Sequence, residues 1–248
     1  MANFTAPDGT KFTDRSEFRK YVFLTQYTFK DKVGECLKRL PGDIGGQPFD
    51  LTSLTECEVL LLDHSEAVQA DDLKGCKIFI AACADSLFVR DCSDCIFTVA
   101  CKQLRTRNCH RCVFHLYSKT EPIIEMSSEI SFAPFNGAYK GHAKHLEEAN
   151  LTSPNLWFGV FDFNDEATTG KNWRILEPAE EGRPWLPLGD CAKIDVPRTK
   201  PGSIPLPSKG PGGAVAGAEA TGGAGIGAGG GATMSFSIDT DAYAAAAA

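Results

Sequence analysis

The chain has 248 residues, with 25 lysines and arginines against 32 aspartates and glutamates, for a net charge of −7. That acidic balance, with no basic arm, argues against nucleic acid as the main partner. No apolar run reaches membrane-spanning length, and the Met1-Ala-Asn-Phe start has neither a signal-peptide pattern nor a myristoylation glycine, so the expectation is a soluble, cytoplasmic protein without a membrane span.

Residues 1–12 read as an extended segment with a turn at Pro7-Asp-Gly9. Asp14-Arg-Ser-Glu17 has the form of a capping box and predicts a helix reaching about Phe29, with Phe18, Tyr21, Val22 and Leu24 on its packing side. Such a helix can cover the flank of a domain; its wealth of aromatics also suits docking to an assembly. Leu40-Pro-Gly-Asp-Ile-Gly-Gly-Gln47 is a Gly-rich turn and lacks the Gly-Lys-Ser/Thr of a phosphate loop.

Between Cys57 and Phe132 a pattern returns. Cys57-Glu-Val-Leu-Leu-Leu, Cys76-Lys-Ile-Phe-Ile-Ala, Cys95-Ile-Phe-Thr-Val-Ala and Cys112-Val-Phe-His-Leu-Tyr follow one another at spacings of 19, 19 and 17 residues. Ser128-Glu-Ile-Ser-Phe-Ala reads as a fifth copy, with serine in the cysteine slot. Each run alternates as a strand with one buried face. A period this short, built on strands, predicts stacked coils. The fold class expected is mainly β, a right-handed parallel β-helix with short flanking helices and a disordered Gly/Ala/Pro-rich C-terminal tail.

Leu73, Cys92 and Cys109 form a second ladder, and Val68, Leu87 and Leu104 a third. Gln69, Phe88 and Arg105 then point outward in one column. In the following coil Ile124 is expected inward and Glu125 outward, beside Arg105, where a carboxylate can hold a guanidinium.

Cys92-x2-Cys95 with Cys109-x2-Cys112 resembles a zinc ribbon. The repeat argues instead for small apolar side chains filling an interior slot, so no metal is expected. Disulfides do not suit a cytosolic chain. Asp63-His64-Ser65 contains the residue types of a catalytic triad, but neighbours in a strand cannot adopt triad geometry, and a coil corner is expected there.

Ala143–Ala149 reads as a short helix capping the open end of the stack, with His142 and His145 solvated. Trp157-Phe-Gly-Val-Phe-Asp-Phe163 is either packing over the last coil or a contact surface. The composition divides the chain into 1–36, an extension with the aromatic helix; 37–178, the β-helix; and 179–248, linker and tail.

Arg39-Leu-Pro-Gly, Gly46-Gln47, Asp63-His-Ser, Val99-Ala-Cys-Lys-Gln-Leu-Arg-Thr-Arg-Asn-Cys109, Pro122-Ile-Ile-Glu125, Asp162-Phe163 and Asn172-Trp173 together resemble the tubulin-folding cofactor C domain family. Within it they are most similar to members that activate GTP hydrolysis by an Arf-like GTPase in cilia. The family fold is a right-handed β-helix. By the resemblance, Arg105 is an arginine finger entering the partner's active site, and Gln103 and Glu125 assist it. Phe163, Lys102 and Asp162 belong to the contact with the GTPase. Lys102 stands where the family carries the first of two glutamines. GTP and magnesium would belong to the partner, and the chain would need no cofactor of its own. The resemblance also implies a cilium, flagellum or basal body as the setting. The other reading is a non-catalytic scaffold that binds tubulin or axonemal proteins.

Overall fold

The computed structural model describes residues 4–182 apart from 138, 140 and 153. Nearly all of the expected linker and tail lies outside the described residues. At the N-terminus β1 (Phe4–Thr5) and β2 (Lys11–Phe12) pair antiparallel about the expected turn. Helix α1 (Arg15–Gln26) begins as its capping residue requires: the Asp14 carboxylate accepts from the Glu17 N–H at 2.8 Å. The helix packs on the hairpin, with Phe18 5.5 Å from Phe4 and 6.0 Å from Phe12 between ring centres. Val22 is buried, but Leu24, expected on the packing side, is exposed. The helix ends at Gln26, whose carbonyl, left without a partner in the helix, accepts from Arg39 Nε at 3.0 Å. The same guanidinium lies 4.4 Å over the Phe29 ring.

From Thr28 onward the chain winds as a parallel β-solenoid of about six turns. One wall runs through β4 (Cys36–Arg39), β6 (Glu58–Ser65) and the first half of β8 (Lys77–Arg90). It continues through the first half of β9 (Ile96–Arg107), β10 (Val113–Ser118), β12 (Ile130–Pro134) and β14 (Trp173–Ile175). The other wall runs through β3 (Thr28–Val33), β5 (Phe49–Thr55), β7 (Val68–Lys74) and the second halves of β8 and β9, then β11 (Ile123–Glu125) and β13 (Phe161–Asp162). All these pairings are parallel, so like positions stack from coil to coil.

A short third side joins the walls. Its residues touch through single bridges, Lys74 to Ser93, Ser93 to His110 and His110 to Ser128. Backbone at positive φ marks both of its ends. Ser53, Asp72, Asp91, Asn108 and Met126 turn one corner; Glu56, Gly75, Asp94, Arg111 and Glu129 turn the other. Asp, Asn and Gly carry that conformation at least cost, and they fill half of these positions.

Immediately after the second corner comes the inward slot. Cys57, Cys76, Cys95 and Cys112 occupy it, all fully buried. Their thiols donate to main-chain carbonyls at the corner, as Cys95 Sγ does to Ser93 O at 3.2 Å and Leu73 O at 3.5 Å. Cys92 and Cys109, the other halves of the C-x2-C pairs, donate in the same way. The nine described cysteines are free thiols. Burial pushes the Cys83 thiol up to about 12 and that of Cys101 well above the usual thiol range.

Three expectations are corrected. Ile130, not Ser128, follows the corner residue Glu129 and fills the inward slot of the fifth copy; Ser131 pairs with Val113 and Phe132 with Phe114. The rings of Phe97, Phe114 and Phe132 therefore stack, 4.9 and 5.6 Å apart. Second, the middle strands of the first wall are buried on both faces. Leu60, Leu62, Phe79 and Ala81 point away from the core yet are covered by the segment around Phe135 and Tyr139. Third, α2 (His142–Glu148) lies against that outer face, not over the end of the stack, and its histidines are buried. His142 Nε2 meets Ala81 O at 2.7 Å, and His145 Nδ1 meets the Tyr139 hydroxyl. Burial lowers the pKa of both, favouring neutral rings. Asp63 anchors the Gly-rich turn beneath them. One of its oxygens accepts from the N–H groups of Gly42, Ile44 and Gly45.

Asp50, on the outer face of β5, generates a stability prediction. Burial, and then the charge of Asp71, push its carboxyl up to about 6. The folded chain therefore holds this proton more tightly than the unfolded chain, whose Asp titrates near ~4. Stability contributed by this group falls as pH rises from ~4 to about 6, and the cost is fully present above that. Asp50→Asn should raise stability at pH 7.5 by roughly 1 kcal/mol, with the gain vanishing toward pH 4, as read from thermal melts across that range.

Candidate partner-binding surface on the outer wall

Alternation along the second half of β9 sends Leu104 and Thr106 inward and Gln103, Arg105 and Arg107 outward. Two outward columns result. The first runs Asp50, Gln69, Phe88, Arg105, Ile123, Phe161. The second runs Thr52, Asp71, Arg90, Arg107, Glu125. Arg105 thus stands between two apolar side chains, with its guanidinium carbon 5.8 Å from the centre of the Phe88 ring. No carboxylate among the described residues lies within ion-pair distance of it.

Glu125 is placed differently from the expectation. It pairs in register with Arg107, and its carboxylate lies 3.9 Å from Arg107 Nε. Arg105 is opposite Ile123. The coil between Arg107 and Glu125 is 18 residues long, because the corners at Asn108 and Met126 fix it. Glu125 therefore extends a charged ladder whose lower rung is strong: Arg90 grips Asp71 with two nitrogens at 2.6 and 2.7 Å.

The remaining site residues surround this wall. Gln103 stands opposite Ser86, two residues before Arg105 on the same outer face. Lys102 lies at the bend where β9 passes from one wall to the other and is paired with Asp85 at 2.9 Å. Asp162 is held within the protein. One oxygen accepts from the Asn164 N–H and the other from the Asn172 side chain, both at 2.8 Å. Those bonds fix the turn that follows β13. The Phe163 N–H donates to Ile124 O, and its ring meets Phe161 edge to face at 5.0 Å. Phe161 and Phe163 are 51% and 53% exposed, an unusual state for adjacent phenylalanines, and Met126 nearby is 53% exposed.

The aromatic segment before them divides. Trp157 is fully buried and closes the core, whereas Phe161 and Phe163 face outward, so packing and surface are both present in one stretch. Arg107, Ile123 and Phe161 went unassigned in the sequence. The spacing that aligned Gln69, Phe88 and Arg105 also aligns Asp71, Arg90 and Arg107, and that second column was readable there.

Residues 46–163 match the family model described as tubulin binding cofactor C. The chain carries a cofactor C domain. Tubulin-specific chaperone C of Mus musculus is 34% identical over 160 residues, 63% of this chain and 47% of that protein. Protein XRP2 of Homo sapiens is 34% identical over 182 residues, 73% of this chain and 51% of that protein. Tubulin-folding cofactor C of Arabidopsis thaliana is 34% identical over 155 residues, 61% of this chain and 44% of that protein. The chain thus spans about half the length of the curated relatives it matches. Lys102, Gln103, Arg105, Glu125, Asp162 and Phe163 all fall inside the matched part of the cofactor C domain.

Because Asp162 braces the Phe163 turn from inside, its loss should be felt as loosening. Asp162→Ala is expected to cost about 1–2 kcal/mol of stability. It should also speed amide exchange of Phe163 and Asn164 while leaving the strands of the walls protected, measured by hydrogen–deuterium exchange.

Proposed function

We propose that this cofactor C domain acts in trans on an Arf-like small GTPase and supplies Arg105 as an arginine finger. The observation that carries the reading is the placement of Arg105: an outward guanidinium with no carboxylate partner among the described residues, on the same wall as the exposed pair Phe161 and Phe163. Charge that develops on a transferred phosphoryl group is stabilised by such a guanidinium, with effects of ~10³–10⁵ in rate where fingers operate. Gln103, from the same outer face, would orient the nucleophilic water or the finger. Phe163 would dock, and Asp162 would hold it ready. Glu125 would act through Arg107, keeping the neighbouring cation in its ladder. Lys102 would meet the partner at the rim of the contact. GTP and magnesium belong to the GTPase. The cytoplasm, at a cilium or flagellum, is the setting we propose for it.

A second reading is supported by the name of the mouse relative, a tubulin-specific chaperone. On this reading the same wall binds tubulin or an axonemal protein without promoting hydrolysis.

Single-turnover GTP hydrolysis by a panel of Arf-like GTPases, with and without the full chain, decides between them. Acceleration of one GTPase is expected, with Arg105→Ala abolishing it while affinity for the GTPase changes less than about three-fold. Equal acceleration by wild type and Arg105→Ala overturns the finger. Co-sedimentation with tubulin and no acceleration of any GTPase selects the second reading.

A further inference from the structure

The placement of Glu125 leaves a question open: what holds Arg105. The acid expected beside it is engaged with Arg107, 3.9 Å away. Hydrogen-bonded acids fix other arginines on this protein. Arg90 is clamped by Asp71, Arg111 by Asp94 at 2.7 and 2.9 Å, and Arg174 by Glu180 at 2.8 and 3.0 Å. Arg105 instead has Phe88 in the rung before it and Ile123 in the rung after, each directly in register. The Phe88 ring lies within cation–π range at 5.8 Å.

We propose that Phe88 is a positioning residue for Arg105: its ring is the platform on which the guanidinium rests before a partner arrives. The inference rests on the finger reading for its consequence in catalysis, though not for the contact itself. A ring orients a guanidinium without neutralising it. A carboxylate would have to be displaced when the finger meets a phosphate, and both groups would have to be desolvated. An aromatic face asks for neither. Ile123 stands in register with Arg105 in the rung above. This register is fixed by the corners at Asp91 and Asn108, which set the stagger of Phe88 and Arg105.

Two measurements test this on the full chain. The first needs no GTPase. In the free protein the Arg105 Nε–Hε signal, assigned by its loss in Arg105→Lys, should be shifted by the aromatic ring. It should return toward the value of an exposed arginine in Phe88→Leu, while Phe88→Tyr keeps the shift. Far-ultraviolet circular dichroism and melting temperature report whether the solenoid of each variant is intact. The second uses the stimulated GTPase at saturating concentrations of this protein. Phe88→Leu should lower the maximal single-turnover rate about three- to five-fold, the size expected of one exposed cation–π contact. The half-saturating concentration should stay within two-fold, and Phe88→Tyr should restore the rate. An Arg105 signal indifferent to Phe88→Leu in a folded variant overturns the platform, whatever the GTPase assay gives. A responsive signal with no GTPase stimulated by wild type keeps the platform and removes the finger reading. A responsive signal with an unaltered maximal rate overturns the positioning role.

Discussion

Each coil turns its short side on two residues at positive φ, and the register of both walls follows from those corners. An L-residue in that conformation costs roughly 1–2 kcal/mol unless it is Gly, Asn or Asp. Asp72, Gly75, Asp91, Asp94 and Asn108 meet the requirement with little strain. Arg111, Met126 and Glu129 hold the same geometry without that advantage. Interactions between rungs compensate. Asn108 donates to Asp91 at 2.6 Å, and Arg111 clamps Asp94. Inside the corner, the residue after it is buried against main-chain carbonyls, and in the fifth copy Ile130 fills that slot by bulk alone. A reduced cysteine suits the same slot, being apolar in bulk and a weak donor at its tip. The cysteine ladder is thus a consequence of the corner, which explains why the C-x2-C pairs with metal-like spacing point into the core.

Much of this was legible in the chain. The cysteine period gave the stacked coils, and the inward columns Val68, Leu87, Leu104 and Leu73, Cys92, Cys109 stand where alternation puts them. The fifth copy was misplaced because Ser128 resembles cysteine in size. The corner carries more information than the slot: aligning Glu129 with Arg111 and Asp94 puts Ile130 in the interior. The first coil escaped notice because β3 and β4 carry no inward cysteine: Cys36 is exposed and Leu37 is buried. The second buried face of the first wall had a visible signal in the unbroken apolar run Val59-Leu-Leu-Leu62. A strand with one wet face does not place leucines at consecutive positions. What no local pattern could supply was the identity of the cover, since α2 and Tyr139 return from some 80 residues downstream.

At the candidate site, the column of Gln69, Phe88 and Arg105 was legible, and the neighbour of Glu125 was not. Between Asp50 and Ile123 the coil lengths drift between 17 and 19 residues, so the offset from Arg105 to Glu125 is fixed by where the corners fall. An error of two residues along a strand leaves a side chain on the same face but moves it one column sideways. That distance decides which arginine an acid neutralises. Here it puts Glu125 with Arg107 and leaves Arg105 without a carboxylate partner among the described residues.

The difference matters for how a wall of this kind can act on a charged partner. The protein is acidic overall, at −7, so a nucleotide-bearing surface meets an unfavourable field except where cations are unopposed. Arg90, Arg111 and Arg174 are held by bidentate carboxylates, and recruiting any of them means breaking those bonds first. Arg105 needs no such exchange. Its column is apolar on both sides and continues to Phe161, so a partner that seats on the aromatic pair also removes water from around the guanidinium. Its attraction for a phosphoryl group strengthens as that water leaves, because the local dielectric falls while no carboxylate among the described residues pairs with it. The strand fixes where the charge starts and the apolar neighbours fix what surrounds it. The same register that stacks cysteines inside the coil therefore prepares a cation outside it.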